Sequence, residues 1–152
     1  MFRNNHNSLN QTSETIEMNS TTLSNLSLLG GRALLAAMFI SAGFSKIGGY
    51  GGTQAYMESV GVPGLLLPAV IALEVIGGIA LLVGYQARIA ALLLAGFTLT
   101  AAILFHSDFS QPMQSILFSK NLAIGGGLLL LFAHGAGDWA LSAVARARRV
   151  TA

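Results

Sequence analysis

One carboxylate, Glu74, lies in the middle of an otherwise apolar run that extends from Gly64 to Gly84. The run reads GLLLPAVIALEVIGGIALLVG, and a helix of this length crosses the hydrocarbon core of a bilayer. An ionised acid at the centre of a membrane helix costs about 3 kcal/mol on insertion scales, so it normally faces a bundle interior and has a partner. The sequence therefore predicts a membrane helix that carries a polar position inside a helical bundle.

Composition supports a membrane protein and excludes several kinds of site. Of the 152 residues, 53% are hydrophobic and 9% are charged, whereas a typical soluble domain is about 25% charged. The chain has no cysteine and only three widely spaced histidines, so we expect no metal site and no intrinsic cofactor held by thiolates. The net charge is +2, and the basic residues lie at helix ends and in the C-terminal tail. We therefore expect no nucleic-acid partner.

Four apolar stretches have roughly the length of a membrane-spanning helix. They are Leu26 to Ser45, Gly64 to Val83, Ile89 to Phe105 and approximately Ser115 to Ala133. We predict an all-α fold, a four-helix transmembrane bundle over residues 26–136. Residues 1–25 are rich in Ser, Thr and Asn and are expected to form a disordered polar tail. Residues 137–152 are expected to form a basic cytoplasmic tail with a short interfacial helix.

The distribution of basic residues predicts the orientation in the membrane. An even number of crossings places both termini on one face of the bilayer. Lys46 and Lys120 fall on the other face, and six arginines fall on the face of the termini: Arg3, Arg32, Arg88, Arg146, Arg148 and Arg149. Because Lys and Arg are retained preferentially in the cytoplasm, we predict that both termini are cytoplasmic.

Small residues predict where the helices approach one another. They recur every four residues at Ala33, Ala37, Ser41 and Ser45 on the first helix and at Ala87, Ala91 and Ala95 on the third. Gly77 and Gly78 follow Glu74 by three and four residues, on the same side of the second helix. Small residues at such spacing let membrane helices pack closely, so Glu74 is predicted to lie on a packed face.

The first helix carries two basic residues on one face, and one of them, Arg32, is the candidate partner of Glu74. Arg32 and Lys46 are fourteen residues apart, which is two heptads, and Phe39 shares their face. We predict that Arg32 forms an ion pair with Glu74 and that Lys46 marks the outer end of the helix. Two alternatives stay open: the pair only locks two helices in register, or Arg32 extends to the inner headgroups.

A second polar cluster is predicted at the outer ends of the helices. Lys46 and Tyr50 follow the first helix, His106 ends the third, and Lys120 and Asn121 begin the fourth. At similar depth, this mixture of side chains can bind a polar headgroup and move protons, because histidine titrates near neutral pH. The alternative for each lysine is a cation at the membrane boundary, and for His106 an interface residue.

Together these segments resemble the DoxX family of small membrane proteins. The resemblance covers about Leu28 to Ala136 and rests on Arg32 and on AGFSKIGGY, YMESVGVPG, ALEVIGGIALLVGY, ILFHSDF and SKNLAIGGGLLLL. It implies a four-helix bundle in the inner membrane of a bacterium. Members are often associated with a quinol oxidase, a thiosulfate:quinone oxidoreductase or oxidative-stress defence.

Two classes of function follow from the residues and the resemblance, and whether the chain is itself an enzyme stays open. In the first, a crevice lined by the first and second helices holds a quinone ring against side chains such as Phe39 and Phe44. Glu74 exchanges protons, and the ring oxygens are polarised by Arg32, Lys46, His106 or Lys120. Electron transfer in this redox-associated role would need a quinone as the redox group, or a partner subunit that carries the cofactor. In the second, the chain is a noncatalytic assembly partner or a carrier of a small hydrophobic solute. A homo-oligomer is compatible with both.

Overall fold

The computed structural model describes the backbone of residues 3–142 and the side chains of residues 19–142. Over this part of the chain the regular structure is helical. The elements are α1 (Arg3–Gly48), α2 (Tyr50–Ser59), a 3-10 turn (Gly64–Leu66), α3 (Leu67–Val83), α4 (Ala87–Phe105) and α5 (Pro112–His134). The predicted all-α fold is confirmed.

Four helical segments are long and apolar enough to cross a membrane. They are Asn19–Gly48, Gly64–Val83, Ala87–Phe105 and Pro112–His134. Each span contains the whole of one predicted stretch. The predicted bundle of four helices of membrane-spanning length is therefore confirmed. The additional helix, α2, is only ten residues long and connects the first span to the second.

The N-terminal segment differs from the disordered tail that we predicted for residues 1–25. In the structure α1 is a single 46-residue helix that begins at Arg3. No proline or glycine occurs between Arg3 and Leu29, so nothing in this segment interrupts a helix that the apolar half has already nucleated. At the other end, residues 143–152 lie outside the described residues, and the interfacial helix there stays a prediction.

The bundle is held mainly by three neighbouring helix pairs. α1 packs along α3, α3 packs on α4, and α4 packs along α5, whereas α1 and α5 touch only briefly. Buried apolar residues from four helices form the core, and they include Ala36, Phe39, Leu81, Leu94 and Leu128. The α1–α3 and α4–α5 pairs are therefore the most closely packed, and the contact along the α1–α5 seam is slight.

Close approach between α1 and α3 depends on glycines at their interface. A Cβ atom on Gly78 would lie 2.8 Å from Ile40 Cγ1 and 3.2 Å from the Ala36 carbonyl oxygen. A Cβ atom on Gly43 would lie 2.6 Å from Val75 Cγ2. The predicted packing of the glycines after Glu74 is confirmed, and so is that of Ala87, Ala91 and Ala95, which are buried.

The small-residue face predicted on α1 is wrong. Ala37, Ser41 and Ser45 are exposed, whereas Ala36 and Gly43 are buried against α3. The buried face is the one that carries Arg32 and Phe39, because these larger groups find their partners inside the bundle and thereby fix the rotation of the helix.

Candidate functional site

An ion pair joins α1 to α3. Lys46 Nζ donates a hydrogen bond to Glu74 Oε1 at 2.8 Å. The Glu74 side chain is only 4% exposed, whereas that of Lys46 is 26% exposed. The second carboxylate oxygen, Glu74 Oε2, is buried and has no hydrogen-bond partner among the described residues. Leaving a buried acceptor unsatisfied costs about 1–3 kcal/mol, so this oxygen favours a ligand that donates a hydrogen bond.

The predicted ion pair between Arg32 and Glu74 is wrong. Arg32 Nη1 donates to the Ala136 carbonyl oxygen, and Nη2 donates to the Leu82 and Trp139 carbonyl oxygens at 3.2 and 3.3 Å. The reason is the register of the two helices. Gly43 packs against Glu74, so closely that a Cβ atom on the glycine would lie 3.4 Å from Glu74 Cβ. Glu74 therefore lies beside the last turns of α1, close to Lys46 and far from Arg32.

A cavity of about 460 Å³ lies beside the ion pair, with lining residues from all five helices. Its wall is mostly apolar and includes Met38, Phe39, Val70, Phe97 and Leu104. Polar side chains from different parts of the bundle interrupt this wall, and they include Lys46, Glu74, Thr98, His106 and Asn121. Small-molecule sites are typically cavities of about 300–1,000 Å³ with a few polar groups in an apolar lining. We refer to this space as the site cavity.

The structure brings five of the eight predicted site residues together. Phe39, Lys46, Glu74, His106 and Asn121 all line the site cavity. The other three lie elsewhere. Tyr50 is 40% exposed at the start of α2, Lys120 is exposed on α5, and Arg32 is buried at the opposite end of the bundle. Lys120 and Asn121 separate because successive residues of a helix point about 100° apart. The functional roles of all eight residues stay predictions.

Sequence reasoning missed several residues that line the site cavity. Thr98 is 4% exposed and lies on α4, where it interrupts a long apolar run. A polar residue inside an apolar run is the sequence signal from which Thr98 could have been predicted. Tyr56 and Met57 come from α2, and Met57 is buried. Their contribution was not visible in the sequence, because it depends on how α2 folds back onto the bundle.

The end of α4 contributes His106 to the site cavity, and a hydrogen bond orients the ring. His106 Nδ1 lies 2.8 Å from Gln114 Oε1, in the first turn of α5. The loop between these helices is organised by Asp108, which accepts hydrogen bonds from the Ser110 hydroxyl and backbone N–H. Those bonds, led by the hydroxyl, hold the pKa of the Asp108 carboxyl below its usual value.

Arg32 belongs to a second polar cluster, at the opposite end of the bundle. Asn25 Nδ2 donates to Asp138 Oδ2 at 3.1 Å, and the Asp138 backbone N–H donates to Asn25 Oδ1 at 3.2 Å. Asn25 is seven residues before Arg32 and is buried on the same face of α1. Together Asn25 and Arg32 fasten the segment after α5 to α1, and we call these contacts the Arg32 cluster.

The comparisons with known proteins identify the family. The DoxX family model matches residues 27–107, a range that includes Arg32, Lys46, Glu74 and His106. This chain belongs to the DoxX family. The resemblance predicted from the sequence motifs is confirmed.

Three relatives are similar to this chain over most of their length. The chain is 50% identical over 119 residues to the inner membrane protein YqjF of Escherichia coli (strain K12), which covers 78% of this chain and 92% of YqjF. It is 36% identical over 117 residues to the inner membrane protein YphA of the same organism, covering 72% and 84%. A Bacillus subtilis (strain 168) protein named "Putative oxidoreductase CatD" is 34% identical over 106 residues, covering 65% and 78%. No solved structure matches the chain at a significant level.

Proposed function

We propose that this DoxX protein binds the ring of a quinone or quinol in the site cavity, as a redox-associated subunit of the inner membrane. One observation carries the proposal: an apolar cavity has at its wall a buried carboxylate, Glu74, with one paired and one unpaired oxygen. A charged pair at the wall of an apolar cavity costs free energy in a membrane, and a polar ligand that binds the pair offsets this cost.

The side chains around the site cavity match the chemistry of a quinone ring. Its apolar faces can pack on Phe39 and Phe97, which line the cavity. A ring carbonyl accepts hydrogen bonds, and Lys46 and Asn121 are donors. A quinol hydroxyl donates, and Glu74 Oε2 is the unpaired acceptor. The cavity therefore offers hydrogen-bond partners to both redox forms of the ring.

The electrons would come from outside this chain. Reduction of a quinone to a quinol takes up two electrons and two protons. The chain has no cysteine, and the described residues contain no group of three or more potential metal ligands. We therefore assign electron delivery to a partner redox subunit with a flavin or metal cofactor, and we assign ring binding and proton exchange at Glu74 to this chain. The name of the relative CatD supports an oxidoreductase association.

A second candidate is a noncatalytic role, as a carrier of a small hydrophobic solute or as an assembly partner. The mostly apolar lining of the site cavity favours the carrier. In that case the Lys46–Glu74 pair would orient the polar end of the solute, and no redox partner would be needed. A homo-oligomer would serve either role.

The decisive experiment is native mass spectrometry of the protein extracted in mild detergent, together with quinone titration. We expect bound quinone in the wild type and about tenfold weaker binding in Glu74→Gln, because the neutral amide loses the charged partner of Lys46 (about 1.4 kcal/mol). Glu58→Gln is the matched control, since Glu58 is exposed on α2. Recovery of phospholipid alone would overturn the quinone assignment and leave the carrier role. Equal quinone affinity in the wild type and Glu74→Gln would overturn the binding role assigned to Glu74.

Cavity filling tests the location of the bound ring. Ala42 lines the site cavity, whereas Ala37 is exposed five residues earlier on the same helix. We expect Ala42→Phe to abolish quinone binding and Ala37→Phe to leave it unchanged, with both proteins folded. Retained binding in Ala42→Phe would place the ring outside this cavity.

The proposal includes the predicted orientation, with both termini in the cytoplasm. Because the chain has no cysteine, single cysteines can be labelled without background. Gln111 precedes α5 and Gln86 lies in the α3–α4 turn, and both are exposed at opposite ends of the bundle. A membrane-impermeant thiol reagent added to intact cells should label Gln111→Cys and spare Gln86→Cys. The reverse pattern would invert the topology.

A further inference from the structure

The helix glycines of this chain fall into two groups according to what a side chain would meet. At Gly43, Gly78 and Gly125 a Cβ atom would lie within 3.0 Å of a neighbouring helix's side chain. At Gly31 of α1 and Gly127 of α5 it would meet nothing within 4 Å. The first group brings helices together. The second group has no such packing role within the described part of the chain.

Gly31 and Gly127 line one elongated space between α1 and α5. This space has a volume of about 410 Å³, and its apolar wall includes Leu28, Leu35 and Leu130. It lies along the seam where the two helices touch only briefly. We call it the seam groove. Small residues here keep the groove open, because a side chain at either glycine would project into it.

The seam groove continues the line of the site cavity along the same two helices. On α1, Leu35 lines the groove and Met38 lines the site cavity, less than one helical turn apart. On α5, Gly127 and Ile124 have the same relation. From Ile124 to His134, at the far end of the groove, the helix rises about 15 Å. The polar side chains that could bind the ring are thus followed by a groove whose lining is mostly apolar and whose polar lining residues are Ser24, Ser27, Arg32 and His134.

We propose that the ligand is a long-chain amphiphile whose hydrocarbon tail lies in the seam groove while its polar ring occupies the site cavity. The inference rests on the proposed function and specifies its substrate class as quinones with an isoprenoid or alkyl tail. In lipid there is no hydrophobic gain from burying a tail, so selectivity comes from close packing against the groove wall. The groove is deep at Gly31 and Gly127, because neither residue has a side chain that fills it.

The position of the seam groove favours one ligand that spans both spaces. The groove has about 410 Å³, and its lining residues on α1 and α5 lie within one helical turn of those of the site cavity. A single hydrocarbon chain in the groove can therefore be joined to a polar ring in the site cavity.

Adjacent glycines provide matched controls for a test with leucine substitutions. Gly31→Leu and Gly127→Leu would fill the seam groove. Gly30→Leu and Gly126→Leu are next to them on the same helices, are exposed, and would likewise meet nothing within 4 Å. Because no variant creates a clash, all four are expected to fold, which thermal unfolding of the purified proteins checks.

The probes are a dimethoxy-methyl benzoquinone that carries a decyl tail and the same ring without a tail. We expect the wild type to bind the tailed probe about tenfold more tightly than the bare ring, an advantage of about 1.4 kcal/mol. Gly31→Leu and Gly127→Leu should remove this advantage and leave affinity for the bare ring unchanged. The two control variants should behave as the wild type.

The outcomes separate this inference from the function on which it rests. If the wild type binds both probes equally, or if Gly126→Leu weakens the tailed probe as much as Gly127→Leu, the tail does not lie in the seam groove. The ring would then still bind in the site cavity. If the wild type binds neither probe, the proposed quinone function itself is wrong.

Discussion

Arg32 and Lys46 lie on the same buried face of α1, yet their surroundings differ completely. Arg32 is 2% exposed, and both of its terminal nitrogens donate to backbone carbonyls at the end of α3 and beyond α5, although its buried Nε has no partner among the described residues. Lys46 pairs with Glu74 at the wall of a cavity, and the carboxylate keeps an oxygen for which the described residues provide no donor. Under the proposed function, the partners of a membrane-buried cation, and not its depth, distinguish a cation that stabilises the fold from one that binds a ligand.

The largest difference between the two cations is expected when the stability of Arg32→Ala is compared with that of Lys46→Ala. Arg32→Ala removes hydrogen bonds to three carbonyls, and polar contacts in membrane proteins are worth about 0.6–1.7 kcal/mol each, so we expect a loss of about 3 kcal/mol of stability. Lys46→Ala removes one bond from a partly exposed lysine and leaves the Glu74 carboxylate without its partner, so we expect a smaller loss, of about 2 kcal/mol. Trp139 is the single tryptophan of the chain, and its fluorescence during thermal unfolding in detergent reports both effects.

A conservative variant makes the same comparison more specific. Arg32→Lys keeps the charge but replaces the guanidinium fork by a single nitrogen, which cannot reach three carbonyls at once. We therefore expect little rescue from Arg32→Lys. If Arg32→Ala instead left stability unchanged and abolished quinone binding, the structural role assigned to the Arg32 cluster would be wrong.

Glycine substitutions extend the contrast to the packing around each cation. A Cβ atom on Gly84, near Arg32, would lie 2.5 Å from Ala140 Cβ and 3.0 Å from Ala140 Cα, and the φ angle there is 71°. At Gly43, beside Glu74, it would meet the end of one side chain at 2.6 Å. We expect Gly84→Ala to cost about 2 kcal/mol, since left-handed backbone disfavours a Cβ, and Gly43→Ala to cost about half as much.

The same thermal unfolding assay measures the two glycine variants. Gly96→Ala is the control, because a Cβ atom there meets nothing within 4 Å. Equal losses at Gly84 and Gly43 would show that the two ends of α1 are packed equally tightly. Packing around the two cations would then not distinguish the Arg32 cluster from the surroundings of Lys46 and Glu74.

The smallest expected effect concerns the contact that extends the Arg32 cluster. Asn25→Ala removes both hydrogen bonds to Asp138 and should cost about 1 kcal/mol, the usual net value for such bonds. A double-mutant cycle with Asp138→Ala isolates the coupling between the two residues. An additive double mutant would mean that the bond between the Asn25 and Asp138 side chains contributes nothing, and that Asn25 acts through its bond from the Asp138 backbone N–H or through packing.

Much of the fold followed from the sequence because hydropathy is a local property. The four spans were predicted within a few residues, since a membrane helix must be apolar along its whole length. The DoxX family was also identified from short motifs, and the family match confirms it. The N-terminal boundary was less well predicted, because polar composition does not distinguish a tail from a helix that continues out of the apolar region.

The pairing of the charges could not be predicted in the same way. Helical spacing places Arg32 and Lys46 on one face of α1, but either could reach Glu74 from that face. The choice depends on how far α3 is shifted along α1, and Gly43 sets that shift by packing against Glu74 and Val75. Such a contact joins residues about thirty positions apart, which no local periodicity encodes.

The sequence by itself determined an all-helical membrane protein of the DoxX family, with a buried acid and two basic residues on one helix face, because lipid constrains every residue of a span. The tertiary structure alone decided that Lys46 is the partner of Glu74, that Arg32 fastens the helix ends, and that a cavity opens beside the pair. The physical reason is that cavities and ion pairs arise from the register between helices, which is set by side-chain packing at a distance in the chain.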